Sequence, residues 1–393
     1  MRTSDWTKRL AGMAVAVLAA VCAFADPQIR NVTARQRFPW NGKVDISYEV
    51  VGSVPAGTPL KVVAMDKTGE RMYEAVSSAL SGELATDEGV HKVVWDLTAQ
   101  GIKFQSQNVV FRVYGTLLYC VIDLSGGASA SNYPVTYLAS PPGGGFNVDA
   151  YKTTKLVLRR IEAGTFVMGY DQTDESRRVM LTKPFYIGLF EVTQKQYELV
   201  MGSNPSSNTG DKRPVEKVSY NMIRGTSNGA NWPSSSAVDT TSFLGKFRAR
   251  TGLEFDLPTE AQWEYACRAG TTSDYNNGGG SESDLKLVGR YLSNPSDGKG
   301  GYSTAHTTVG SYLPNAWGLY DMHGNVWEWS LDRYGTLAYG TDPKGSSSGA
   351  IRVRRGGSWD APVSYCTSSS RLDISPSTEQ RDIGFRLART LSE

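Results

Sequence analysis

At 393 residues the chain is too long for one ordinary domain and suits two. Its 41 Lys+Arg nearly balance 39 Asp+Glu, which removes any electrostatic case for binding nucleic acid or an anionic membrane surface. With only three histidines and four cysteines, and no CxxC or zinc spacing among them, a His-based zinc or non-haem iron centre is not expected.

The N-terminus reads as an export signal. Arg2, Lys8 and Arg9 form a basic region, residues 10–24 are apolar and Ala-rich, and Ala23-Phe24-Ala25 fits a small-x-small cleavage site before Asp26. The apolar run is short for a bilayer span, and no later segment resembles one. Residues 1–25 are therefore assigned to a signal peptide, and the mature protein to the periplasm, the exterior or the cell surface. Cleavage leaves Cys120, Cys267 and Cys366, an odd count with at least one free thiol.

Residues 26–125 read as strands. Residues 43–50 (KVDISYEV) alternate polar and apolar side chains as a half-buried strand does. Further β-rich runs cover 60–65, 92–95, 109–114 and 117–124, separated by turn signals such as Asn41-Gly42 and Lys67-Thr68-Gly69. This spacing predicts an all-β sandwich of immunoglobulin or fibronectin type, serving as a spacer or interaction module. Residues 126–154 are rich in Gly, Ser and Pro and predict a linker.

A second domain over 155–393 opens with a strand at 155–161. Thr193-Gln194-Lys195-Gln196 is a capping box, with Val192 and Tyr197 placed as a hydrophobic staple and Gly202 as the stop. Thr259-Glu260-Ala261-Gln262 is a second box; behind it Trp263, Ala266 and Cys267 fall on one helix face, and Gly270 ends the helix. A third helix is expected over 240–250, burying Phe243, Leu244 and Phe247. Beyond Gly270 the chain reads mostly as loops, with flexible tips at 278–281 and 346–349. Its densest feature is WGLYDMHGNVWEW (317–329), where aromatics, Gly and carboxylates suggest a rigid loop built around an ion or ligand.

GTFVMG (164–169), PFYIGLFEVTQKQY (184–197), RPVEKVSY (213–220), LPTEAQWEYACRAG (257–270), WGLYDMHGNVWEW, RRGGSW (354–359) and DIGFRLAR (382–389) follow one another in the order of the formylglycine-generating enzyme, or sulfatase-modifying factor, family. The resemblance spans about residues 155–390. It implies an α+β variant of the C-type lectin fold: few regular elements, much irregular loop and a Trp- and Tyr-rich core.

What the resemblance implies for chemistry is mixed. Oxidases of the family convert a sulfatase cysteine to formylglycine with two cysteines that hold Cu(I), since soft thiolates select that ion. Cys366 matches the second of these cysteines, but Ala361 stands at the first, and Ser358 matches a residue lining the substrate groove. Cys267 matches a cysteine that can pair with one after the terminal GFR, where this chain has Leu387. The family places a calcium ion in the aromatic loop; by match Asp321 and Glu328 give carboxylates and Gly324 and Val326 give carbonyls. Calcium's need for several hard oxygens makes a Gly-containing acidic turn suitable. His323, a poor calcium ligand, is expected to be structural or solvent-facing.

The expected function is that of an exported, calcium-stabilised binding module that lacks the two-cysteine copper site and takes a protein or peptide ligand. The alternatives are a formylglycine-generating oxidase using Cys366 and Ser358, with a sulfatase as partner and Cu(I) as cofactor, and a ligand-binding protein of a diversity-generating retroelement. In the last case residues 359–381, between the GGSW-like motif and GFR, would be the variable segment.

Overall fold

The computed structural model describes residues 28–37, 41–51, 60–66, 72–102, 109–115, 117–295 and 301–391. The expected signal segment and the turn at 67–69 lie outside the described residues. No helix among those described is long and apolar enough to cross a membrane.

In strand Lys43–Val51 the alternation of the sequence becomes an alternation of burial, with Val44, Ile46, Tyr48 and Val50 inside. This strand lies between Gln28–Gln36 and Gly89–Asp96, and Leu80–Ser81 completes an antiparallel sheet of four. Leu60–Asp66 sits between Met72–Glu74 and Val109–Gly115 in a second antiparallel sheet of three. Both sheets contribute to one core that includes Ile46, Tyr48, Val62, Ala64, Val93, Trp95 and Val113. The indole of Trp95 donates to Gln100 Oε1 at 3.0 Å, which satisfies its one polar atom in an apolar setting.

Tyr119–Asp123, expected in the N-terminal module, instead joins the next sheet, where it pairs antiparallel with Lys155–Ile161. Its composition explains the choice. Cys120 and Ile122 enter one core while Tyr119 and Val121 enter another, so both faces need cover. Val135–Leu138, within the expected linker, forms the edge of the same sheet, whose order continues through Phe185–Gly188 to Ala388–Thr390. Tyr133 and Phe146 anchor the Gly- and Ser-rich segment by burial.

Helices α1 (Gln194–Met201), α2 (Tyr220–Arg224), α3 (Phe243–Thr251), α4 (Glu260–Arg268) and α5 (Glu282–Val288) pack around this sheet and the loops beyond it. Both expected capping boxes form. In α1, Thr193 Oγ1 accepts from Gln196 N at 3.2 Å and Gln196 Oε1 accepts from Thr193 N at 3.0 Å, and Gly202 closes the helix at φ 86°. Helix α3 starts at Phe243, three residues into the expected span, because the Ser242 hydroxyl caps it by accepting from Gly245 N. Helix α4 turns left-handed at Ala269 (φ 46°), one residue before the expected glycine. Helix α5 arises where loop was expected: Ser281 and Asp284 form a capping box, and Leu285 and Val288 are buried.

The C-terminal sheet lays the family-like motifs side by side. Its order is Arg371–Ile374, Arg352–Arg355, Trp327–Arg333, Ile383–Gly384. Glu328 pairs with Arg355 on one side and Gly384 on the other.

Candidate functional site

The aromatic loop is held by its carboxylates. Glu328 Oε2 accepts from Trp263 Nε1 at 2.8 Å and from Arg386 Nε at 2.6 Å, while Oε1 accepts from Arg386 Nη2 at 2.6 Å. Arg386 also donates to the carbonyls of Gly188 (3.0 Å) and Tyr320 (3.0 Å), so one buried guanidinium ties the terminal GFR to two other segments. Charge-assisted, two-point contacts of this kind suit Arg better than Lys.

A second carboxylate, Glu191, was not anticipated. It is buried, Oε2 accepts from Asn325 Nδ2 at 2.6 Å, and Oε1 accepts from Val326 N at 3.2 Å. Burial pushes its carboxyl well above the ordinary range, and the nearby Asp321 and Glu328 push the same way. The available signal was an isolated acid in the apolar run IGLFEV; its partner lies more than a hundred residues away.

Asp321 takes a left-handed backbone (φ 55°), as do Gly324 (78°) and Asn325 (58°). At Gly324 a Cβ would fall 1.8 Å from the carbonyl oxygen of Arg290, so the turn admits no side chain there. Asp321 Oδ2 accepts from Gly310 N at 2.6 Å, whereas Oδ1 is buried without a partner. Burial raises its carboxyl to about 6, with Glu328 reinforcing and the Gly310 N–H, Arg386 and Lys152 opposing.

These partners divide the four expected calcium ligands. Glu328 has both oxygens committed to Arg386 and Trp263 and does not fit as a calcium ligand. Asp321, with an unpartnered oxygen inside an acidic cluster, does fit. Among the described residues no three His, Cys, Asp or Glu side chains are arranged to hold a metal ion, so such a site would depend on backbone carbonyls, Gly324 and Val326 among the candidates.

His323 is buried rather than solvent-facing. Nε2 accepts from Asn276 N at 3.1 Å, which fixes the proton on Nδ1, and Nδ1 donates to the Cys366 carbonyl at 2.7 Å. Burial lowers its pKa to about 4. The Cys267 thiol lies 3.8 Å from the same Nε2. The imidazole thus bridges the environment of one cysteine and the backbone of the other, a link that sequence distance conceals.

Cys366 follows the single turn Val363–Tyr365 and is fully buried. Burial pushes its thiol up to about 12 against an opposing backbone hydrogen bond from Ser358, and the thiol donates to the Pro362 carbonyl at 3.8 Å. The Cys267 thiol, likewise buried, is also raised to about 12. Ala361 is buried in the same core as Cys366, while Cys267 belongs to a different cluster. Cys267 and Cys366 form no disulfide, and Leu387, at the position where the resemblance implies a cysteine, is buried in a different cluster from Cys267. Ser358 Oγ donates to Asp382 Oδ2 at 3.2 Å and accepts from Asp360 N at 3.3 Å, so the expected site serine serves the local turn.

Residues 352–359 and 383–388 are almost wholly buried, and the segment between them alternates buried anchors such as Ala361, Cys366 and Ser368 with exposed residues such as Asp360, Ser364, Tyr365, Ser377 and Arg381. The Arg381 guanidinium lies 4.9 Å from the Trp359 ring, and Arg354 lies 4.8 Å from Trp327. A rigid frame thus brackets a polar surface backed by cation-covered indoles.

A model of the sulfatase-modifying factor enzyme 1-like domain matches residues 149–391. The formylglycine-generating enzyme of Mus musculus is 29% identical over 314 residues, covering 67% of this chain and 82% of that protein. The chaperone protein LppX of Paenibacillus barcinonensis is 26% identical over 259 residues, covering 58% and 88%. Among solved structures, Treponema denticola variable protein 1 aligns with a TM-score of 0.50 at 29% identity, over 61% of this chain and 96% of its own. The matched span takes in the helices α1–α5, the C-terminal sheet and the Glu191–Asp321–Glu328–Arg386 cluster, and by that match the chain belongs to the sulfatase-modifying factor enzyme 1-like family.

Proposed function

We propose that this protein is an exported binding module in which the formylglycine-generating-enzyme-like domain presents residues 359–381 to a protein or peptide ligand, with the N-terminal β module as spacer. One observation carries the reading: the thiol inventory at the position of the family's copper site. A two-coordinate Cu(I) site needs two thiolates. Here Ala361 supplies a methyl group, and the lone Cys366 thiol is buried and pushed up to about 12, which keeps it protonated at neutral pH. The thiolate is both ligand and nucleophile, so a buried thiol of this kind behaves as a small hydrophobe.

The exposed residues of segment 359–381, set in a buried frame, support a surface role, and so does the likeness to a variable protein. Diversification of residues 359–381 is the specific version of that role; identical sequence through this segment in many isolates would remove it. Calcium, in this reading, sits at Asp321 and backbone carbonyls, with Glu328 serving Arg386.

The direct test is co-expression with a sulfatase-type CxPxR peptide, followed by mass spectrometry of the peptide cysteine and copper analysis of the purified protein. The binding reading expects unchanged cysteine and no stoichiometric copper. Conversion that disappears in Cys366→Ser would establish an oxidase instead.

A further inference from the structure

We propose an acid-sensitive latch at His306: the hydrogen bonds from Arg213 Nη1 to His306 O (3.0 Å) and from Val309 N to Lys212 O (3.0 Å) fasten the segment 303–309 to the segment 204–217 at neutral pH, and protonation of the buried His306 ring releases them. The side chains of His306 and Glu216 are both buried; Glu216 is the acid of the RPVEKVSY segment, and neither residue belongs to the Glu191–Asp321–Glu328–Arg386 cluster. Glu216 Oε1 accepts from the backbone N–H groups of Ser207 (2.5 Å) and Asn208 (2.7 Å), but Oε2 has no partner. His306 Nε2 stands 3.8 Å from Glu216 Oε1, too far for a hydrogen bond, and neither ring nitrogen has a partner.

A neutral imidazole tolerates this setting; an imidazolium does not. It would bring two N–H donors with one carboxylate in reach, and the other charged groups facing it are cations. Arg213 donates to the carbonyl of His306 itself at 3.0 Å, and Arg290 donates to the adjacent carbonyl of Ala305 at 3.3 Å. Both arginines are therefore fixed beside the ring. Burial lowers the pKa of His306 below 6.5, Arg213 and Arg290 act in the same direction, and Glu216 opposes them. A base with a depressed folded-state pKa contributes stability above its unfolded value near 6.5, and that stability is lost as pH falls toward the folded value.

The release has a defined reach. Segment 303–309 is tied down by Ser303 N to Leu292 O (2.6 Å), Thr307 N to Asn325 Oδ1 (2.9 Å) and Val309 N to Lys212 O (3.0 Å). Leu292 N in turn donates to Ala361 O (3.0 Å), and Trp359 N donates to Asn325 O (2.9 Å). Loosening the segment therefore loosens the backing of residues 358–361. A consequence for ligand binding rests on the proposed role of 359–381; the latch itself does not.

Hydrogen exchange of the whole protein, compared at about pH 7.5 and about pH 5 after correction for intrinsic rates, tests the latch separately from binding. Protection of 303–309 and 204–217 should fall about tenfold at the lower pH in the wild type and stay constant in His306→Gln. No fall in the wild type, or an equal fall in the variant, overturns the proposal. Should the variant fail to fold, NMR titration of the wild-type His306 ring decides: the latch requires a midpoint below 6.5 that coincides with the loss of protection. A midpoint at the ordinary value, or one unconnected with exchange, overturns it.

Discussion

Arg386 grips Glu328 through two hydrogen bonds of 2.6 Å, Nε to Oε2 and Nη2 to Oε1, with both groups buried. Removing either partner leaves the other charge desolvated and unmatched, which costs about 3–5 kcal/mol. Glu328→Gln and Arg386→Met should each lower stability by that order in urea denaturation. The double variant should recover part of the loss, with a coupling of about 1–3 kcal/mol. Additive single effects would show that the pair does not act as a unit.

Gly357 has φ 78°, and a Cβ there would meet Cys366 Sγ at 2.5 Å and the Tyr365 carbonyl at 2.9 Å. Gly318 has the same φ of 78° with open space around it. Gly318→Ala should therefore cost only the backbone term, about 1–2 kcal/mol, while Gly357→Ala adds overpacking of about 1–3 kcal/mol. Equal melting temperatures for the two variants would mean that the Gly357–Cys366 contact relaxes freely.

Local chemistry was legible in the sequence and long-range pairing was not. The boxes at Thr193 and Thr259, and the alternation through Val44, Ile46, Tyr48 and Val50, are interactions within a few residues, so composition alone specifies them. Tyr119–Asp123 was placed in the wrong sheet because an apolar strand does not state which partner will cover its second face. Helix α5 was hidden by the glycines before Ser281, although Ser281 and Asp284 carry the same capping logic as the other two. At the site, the motif order located Asp321, Glu328, Ser358 and Cys366, but Glu328 finds its counter-ion 58 residues away in Arg386. Glu191 and the bridging role of His323 depend on contacts 134 and 43 residues distant, beyond the reach of periodicity.

Asp332 provides a pH signature. It is buried, accepts from Trp232 Nε1 (3.1 Å) and Glu260 N (2.7 Å), and is raised to about 7 by burial and by the Glu260 carboxylate. A carboxyl with a raised folded-state pKa contributes stability that is complete below 3.8 and is lost as pH rises toward about 7. This one group should withdraw roughly 4 kcal/mol across that window. Asp332→Asn should flatten the slope of stability against pH between those limits, measured by urea midpoints. An unchanged slope would assign the pH dependence to other groups.

Calcium at Asp321 predicts a melting temperature that rises with added calcium, because an ion that binds only the folded state stabilises it by mass action. Asp321→Asn retains an acceptor for Gly310 N but removes the charge at the unpartnered oxygen, so the calcium-dependent rise should vanish. Glu328→Gln should lower the starting temperature and leave the rise in place. A rise that persists in Asp321→Asn, or none in the wild type, would rule out the site.

Ala361→Cys asks whether the missing thiol is all that separates this domain from a copper protein. Ala361 and Cys366 flank the turn Val363–Tyr365 and share one core, so a second thiol there enters the same apolar pocket. Metal binding drives thiols to thiolates and offsets the burial that now holds Cys366 at about 12. The expected outcome is about one equivalent of Cu(I) in Ala361→Cys, none in the wild type, and none in Ala361→Cys combined with Cys366→Ser. Copper in the wild type would contradict the binding-module reading. Failure of Ala361→Cys to bind would instead place the divergence in the packing around Gly357 and Cys366, which a single added sulfur does not reopen.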